Sequence, residues 1–270
     1  MAALLGVSWS PVAAELPDLD VLIDIVEAPG WSLEDALAES GVRRRVLLHN
    51  LDLDVSMADP GYIDDGWGAR ANAAIRRAGT PWFSLHLGFA SERVRFDEHM
   101  LPKSEPLGRD ELLARTVDSV RKAKTYLDLP LLMENLDYCP EGAYEHVCDP
   151  EFISEVLAAT DTGLLLDIGH LLVTASWFEV EPDALLARMP LERLVEVHLS
   201  GPRPLSGNTE RLDDVHDVVG EREVRLLRMV LERAQPKAVV LEYRRDAEAL
   251  REQLAMLGGV IGRRWRGRPC

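Results

Sequence analysis

Eight short apolar runs recur along the chain, and seven of them end in a carboxylate or an imidazole: Glu27, His49, His86, Glu134, Asp167, His198 and Glu242. The runs are Leu4 to Trp9, Val21 to Glu27, Arg45 to His49, Trp82 to Gly88, Leu131 to Asn135, Gly163 to Gly169, Leu194 to Ser200 and Ala238 to Tyr243. Near-continuous apolar strands that alternate with helical segments indicate a parallel sheet covered on both faces. Eight such units in 270 residues predict an α/β fold, a (β/α)8 TIM barrel forming a single domain over residues 1–262, with a basic tail over 263–270. The segment from Gly108 to Leu129 carries the helical pattern best, with Leu112, Leu113, Val117, Val120 and Leu127 on one stripe and Arg115, Asp118, Arg121 and Lys122 facing away; Pro130 closes it. The first crossover, through Pro11 to Pro17, is too short for a regular helix.

Strand alternation sharpens the expectation. If His86 points into the barrel, Ser84 does too, and the same parity pairs Leu132 with Glu134, Leu165 with Asp167 and Val240 with Glu242. An apolar layer then lies beneath a ring of polar ends, and in this fold chemistry belongs to the C-terminal mouth of the strands. One such residue alone reads as a cap or a satisfied core histidine. Many together in one cavity repel and lose hydration, so a cation is the natural counter-charge.

Imidazoles and carboxylates without a thiolate suit iron, manganese or zinc and argue against copper(I) or an iron–sulfur cluster. Glu134, Asp167, His198 and Glu242 make one divalent site. His49 and His86, on the two strands preceding Glu134, add nitrogen ligands beside it, so that Glu134 bridges a second metal. Asp214-Val215-His216 falls in the loop after the seventh strand, where an Asp-x-His step places both side chains on one face of an extended segment. The ligand count favours two or three metals.

Composition limits the rest. Thirty basic against 46 acidic residues give a net charge of −16, which disfavours nucleic acid as a partner. No apolar run approaches membrane-spanning length and the N-terminus lacks a signal-peptide pattern, so the expected location is the cytoplasm. Cys139, Cys148 and Cys270 have no zinc-type spacing and give an odd count, which argues against a disulfide framework. The tail from Arg263 carries four arginines on an otherwise acidic chain and reads as solvated or folded back on the acidic body.

The motifs Leu48-His49, Ser84-Leu85-His86-Leu87, Glu134-Asn135, Leu164-Leu165-Leu166-Asp167, Val197-His198-Leu199-Ser200-Gly201, Asp214-Val215-His216 and Leu241-Glu242 resemble, in order, those of the multinuclear non-haem iron-dependent oxidative enzymes. The resemblance implies a xylose-isomerase-like TIM barrel with two or three irons. It also implies O2 as co-substrate, a ribosomally made precursor peptide modified at cysteine or near its C-terminus, and in some members a separate partner protein that presents the peptide. It assigns Glu134, Asp167, His198 and Glu242 to one iron, His49 and His86 with bridging Glu134 to a second, and Asp214 and His216 to a third. The catalytic candidates are Glu134 and His86, together with Glu27, which at the end of the second run orients substrate or acts as a base, or else caps a helix or lies at the surface; Glu196 faces inward by parity without a role.

One departure matters. Where the family has Val-Asn-Asn after the aspartate, this chain has Ile168-Gly169-His170. Gly169 offers no side-chain ligand, but a bend at glycine brings His170 to Asp214 and His216; a straight strand sends it into the helical layer. Two other readings use the same residues. A mononuclear sugar isomerase or epimerase would need only Glu134, Asp167, His198 and Glu242, and a non-catalytic barrel would use them to bind metal or peptide. An endonuclease-like phosphodiesterase has a similar metal set, but the net charge argues against DNA.

Overall fold

The computed structural model describes residues 3–39, 46–53, 56–95 and 101–263. Along the chain come β1 (Leu4–Ser8), α1 (Pro11–Ala14), α2 (Leu19–Leu22), β2 (Ile25–Ala28), α3 (Leu33–Glu39), β3 (Val46–His49), α4 (Asp65–Ala78) and β4 (Phe83–His86). Next are β5 (Val94–Arg95), β6 (Leu101–Pro102), α5 (Arg109–Tyr126), β7 (Leu131–Glu134), α6 (Pro150–Thr160), β8 (Gly163–Asp167), α7 (Ile168–Phe178) and α8 (Pro182–Arg188). The chain continues through β9 (Leu194–Leu199), β10 (Gly201–Leu205), β11 (Asn208–Asp217), α9 (Glu221–Arg233), β12 (Ala238–Leu241) and α10 (Ala247–Val260). Eight strands close a parallel barrel in the order β1-β12-β9-β8-β7-β4-β3-β2, as the alternating pattern predicts.

The helices start where the sequence supplies caps. Asp64, Asp149 and Asp246 each accept a hydrogen bond from a backbone N–H in the first turn of α4, α6 and α10, and Pro150 occupies a first-turn position that needs no donor. Helix α4 ends at Gly79 in the left-handed conformation, with φ of 65°. Helix α5 buries Leu112, Val117 and Val120 as its periodicity predicts; Leu113 is only half-buried and Arg115 bonds Glu92 and Glu111 rather than facing away.

Several boundaries differ from the apolar runs. The run from Val21 splits: its first residues complete α2, and only Ile25 onward pairs as a strand. The first crossover holds two single-turn helices, the first capped by Ser10. The run from Gly163 leaves the sheet at Asp167, not Gly169. Two antiparallel hairpins, β5–β6 and β10–β11, interrupt the βα repeat, and the second places Asp214 and His216 on a strand instead of a loop. Arg45 and the tail beyond Arg263 lie outside the described residues.

Pleat sets the core in two layers. Between sheet and helices runs the larger cluster. Inside the barrel Ile25, Leu47, Trp82, Leu132, Leu165, Ala238 and Val240 form a second one, each two or four residues before an inward polar end. This plug is the floor of the mouth, and Trp82 crosses it to donate from Nε1 to Glu196 Oε2 at 2.7 Å. Leu132→Ala should therefore destabilise the chain by about 2–5 kcal/mol, read from the midpoint of urea unfolding, whereas Leu113→Ala on α5 should cost markedly less.

Candidate metal centre

Register brings the polar ends together. His86 pairs with Glu134, Asp167 with His198, and His49 with Ser84 on neighbouring strands, so one turn of the mouth holds them all. Glu134 Oε2 lies 3.1 Å from His49 Nε2 and 3.2 Å from His86 Nε2, and these two nitrogens are 3.3 Å apart. Its other oxygen, Oε1, lies 3.4 Å from His198 Nδ1 and 3.5 Å from His170 Nδ1. His49 Nδ1 sits 2.9 Å from Ser84 Oγ, which fixes the ring with Nε2 toward Glu134. Asn50, in the left-handed conformation, places Nδ2 2.8 Å from His49 Nε2 and accepts from the His86 amide through Oδ1.

On the opposite side Glu27 Oε2 holds His198 Nε2 at 3.1 Å. With Nε2–H donating there, the Nδ1 lone pair faces Glu134 and, at 3.8 Å, Glu242 Oε2. Glu27 is buried and is aimed at this imidazole, so its contact is with a candidate ligand and a cavity wall. Glu196, also inward by parity, lies below it against Trp82; burial first, then Glu27, pushes its carboxyl well above the usual range.

His170 faces the mouth, but not through a bent strand. Asp167 ends β8 and caps α7, accepting from the His170 amide at 2.7 Å, and the first helical turn swings the imidazole over Asn135 O, 2.9 Å from Nδ1. Its Nε2 is 3.7 Å from Asp214 Oδ2. Glycine at 169 serves close approach: a Cβ there would lie 2.1 Å from Ser200 Oγ. His216, with φ of 48°, brings Nδ1 to 2.9 Å from Asp214 Oδ2 and Nε2 to 3.1 Å from Glu242 Oε2. The nine candidate ligands thus meet in one mouth, with Asp214, His216 and His170 forming the side nearest the hairpin.

The electrostatics fit a cation. Three buried atoms in this mouth, Glu134 Oε2, Asp167 Oδ2 and His198 Nδ1, have no hydrogen-bond partner among the described residues. Buried polar atoms rarely stay unpaired, so three in one place call for a ligand. Ligand atoms of Glu134, Asp167 and His198 lie within 4.8 Å of one another, as do those of His49, His86 and Glu134. Burial pushes His49 down to about 4, which keeps it neutral, the form that binds metal. Burial also pushes Asp167 up to about 6. Against burial, His198 and His216 hold the Glu242 carboxyl well below the usual range, and hydrogen bonds to Asp214 and Glu242 raise His216 to about 10. The donor set is nitrogen and oxygen only, which suits iron, manganese or zinc.

A cavity of about 180 Å3 opens above the histidines, between Pro29, Trp31, Leu53 and Arg244. Trp31 and Leu53 are 52% and 54% exposed, and Arg244 reaches Ser8 Oγ at 3.2 Å. Sequence reading gave no role to Ser84, Asn50, Asn135, Ser200 or Arg244. Asn135 ties β7 to β8 by bonding both the carbonyl and the amide of Asp167, and Ser200 Oγ donates to Asp214 Oδ1. The signal for the first three was position alone: each is one residue after, or two before, a candidate ligand. Ser200 falls within the quoted Val197–Gly201 motif, whereas nothing in the pattern marks Arg244.

A family model described as the RiPP precursor modification enzyme MbnB/TglH/ChrH matches residues 19–259. A UPF0276 protein of Caulobacter vibrioides is 30% identical over 232 residues, 86% of this chain and 79% of the relative. UPF0276 protein BPP1075 of Bordetella parapertussis is 26% identical over 258 residues, 93% of this chain and 88% of the relative. Among solved structures, a D-tagatose 3-epimerase-like protein superposes with a TM-score of 0.63 at 15% identity, covering 97% of each chain. The E. coli 3-keto-D-glucoside 4-epimerase YcjR does so at 0.60 and 15%, covering 94% of this chain and 98% of the other. Identities this low speak for a shared xylose-isomerase-like barrel and for nothing about substrate.

Two outcomes follow from the geometry. Glu134→Ala should lose more bound metal than His49→Ala or His86→Ala, because its two oxygens face two groups of imidazoles; elemental analysis of the three purified variants checks this, and equal losses would speak against bridging. Gly169→Ala should cost about 1–3 kcal/mol by overpacking, measured by urea unfolding, and Ser200→Ala in the same chain should recover part of that loss.

Proposed function

This chain belongs to the MbnB/TglH/ChrH family of RiPP precursor modification enzymes, and from that premise we propose that it oxidises a ribosomally made precursor peptide with O2 at two or three irons, at cysteine or near the peptide C-terminus. The observation that carries the reading is the paired use of Glu134, one oxygen toward His49 and His86 and the other toward His198 and His170. A mononuclear sugar isomerase has no need of that second group of imidazoles. In this reading Glu134, Asp167, His198 and Glu242 hold one iron, His49, His86 and Glu134 a second, and His170, Asp214 and His216 a third.

Iron held this way would supply O2 activation and thiolate binding, since imidazole and carboxylate ligands leave positions open. The chain's own contribution is placement. Glu27 keeps His198 in one tautomer, Ser84 fixes His49, and the apolar floor of Leu132, Leu165 and Val240 denies water a path from below. Trp31 and Leu53 offer an apolar rim to an incoming peptide, and Arg244 is the cation of the mouth. Among the described residues no helix is long and apolar enough to cross a membrane. A separate peptide-presenting protein belongs to the same proposal.

Co-expression with the peptide encoded beside the gene should give an O2-dependent mass change in that peptide, and the anaerobically purified protein should contain at least two irons per chain by elemental analysis and Mössbauer spectroscopy. A single manganese or zinc, with turnover of a free ketose in the absence of O2, would overturn the proposal in favour of the isomerase.

A further inference from the structure

A larger cavity, about 380 Å3, lies beside the histidine-lined mouth, between the segment after β7, helix α7 and the β10–β11 hairpin. Four carboxylates line it, Asp137, Glu141, Asp213 and Asp214, together with Tyr144 and Trp177, and no lysine or arginine does among the described residues. Asp214 belongs to both spaces: it faces this cavity while its Oδ2 contacts His216 and His170. The nearby Arg211 lies 5.6 Å from the Trp177 ring but is spent on Glu179 and the Ser176 carbonyl.

A second observation is independent of the acidic lining. Tyr144 is only 6% exposed, yet its hydroxyl has no hydrogen-bond partner among the described residues; its ring rests edge-on against Phe89. The side chain lines the cavity, where a group seated in it can meet the hydroxyl. Carboxylates and aromatic faces together favour an organic cation over a hydrated ion, because the ring quadrupole rewards a weakly hydrated charge. The free phenol hydroxyl adds a donor for a peptide carbonyl.

We propose that this cavity is a recognition site for a basic side chain, arginine or lysine, of the peptide substrate, with its carboxylates holding the cation and Tyr144 donating to the adjoining peptide carbonyl. The proposal rests on the peptide-modifying reading above and adds a sequence requirement to it. Because Asp214 forms the shared wall, a basic residue seated there leaves its neighbours in the peptide over the candidate irons. The site also turns the chain's net charge of −16 to use, since a basic segment would be drawn to it before docking.

The test uses the full chain and blocked tripeptides, acetyl-Gly-Arg-Gly-amide, acetyl-Gly-Lys-Gly-amide and the norleucine analogue, by isothermal titration calorimetry at low salt. At least one basic tripeptide should bind tenfold or more tightly than the norleucine one, and Asp137→Asn and Tyr144→Phe should each weaken it threefold or more. Equal affinity for norleucine would overturn the proposal. So would displacement by MgCl2 combined with no effect of Tyr144→Phe, which would make the cavity an ion site. Binding is read without turnover, so a failed peptide oxidation would sink the proposed function and leave this result standing on its own.

Discussion

Four imidazoles surround one buried carboxylate. Glu134 lies within 3.5 Å of nitrogens from His49, His86, His170 and His198, which arrive from three other strands and the first turn of a helix. Such an arrangement is costly without a cation, because most of its members give up water and Glu134 Oε2 and His198 Nδ1 find no hydrogen-bond partner among the described residues. The rest of the mouth is built to hold these groups in place. Ser84, Asn50, Asn135 and Glu27 each spend their hydrogen bonds on a candidate ligand or its backbone.

The barrel makes that cost tolerable by dividing its interior. Two residues below the polar ends, Ile25, Leu47, Leu132, Leu165 and Val240 fill the tube with apolar volume, so the charges stand on a dry, packed floor. Glu196 is the exception within that floor. Its carboxyl pushed upward by burial and bonded to Trp82, it marks the level at which charge gives way to core.

The hairpin β10–β11 gives this barrel its own character. It carries Asp214 and His216 from outside the βα repeat and folds them over the mouth, where His216 reaches Glu242 on the last strand. The same hairpin walls the acidic cavity, so one insertion shapes both the edge of the candidate centre and the space beside it. His170 reaches this edge because α7 begins at once after Asp167, and a helical first turn delivers its side chain to the mouth.

The sequence alone determined the repeat, the parity of each strand and hence which ends face inward: Leu132 with Glu134, Leu165 with Asp167 and Val240 with Glu242 follow from a period of two that no tertiary contact can change. Even Glu196 was placed inward this way. Where the polypeptide leaves the sheet was decided by tertiary structure. Gly163 to Gly169 reads as one strand, yet Asp167 finds an amide to cap and the helix starts there; the reason for Gly169 is Ser200, 31 positions along the chain, the Oγ of which would lie 2.1 Å from a Cβ. Asp214 and His216 read as loop because antiparallel pairing with Gly201–Leu205 is a non-local contact. The cavity they wall, with Tyr144 unpartnered inside it, exists only once β7, α7 and the hairpin have packed, and no periodicity in the chain records it.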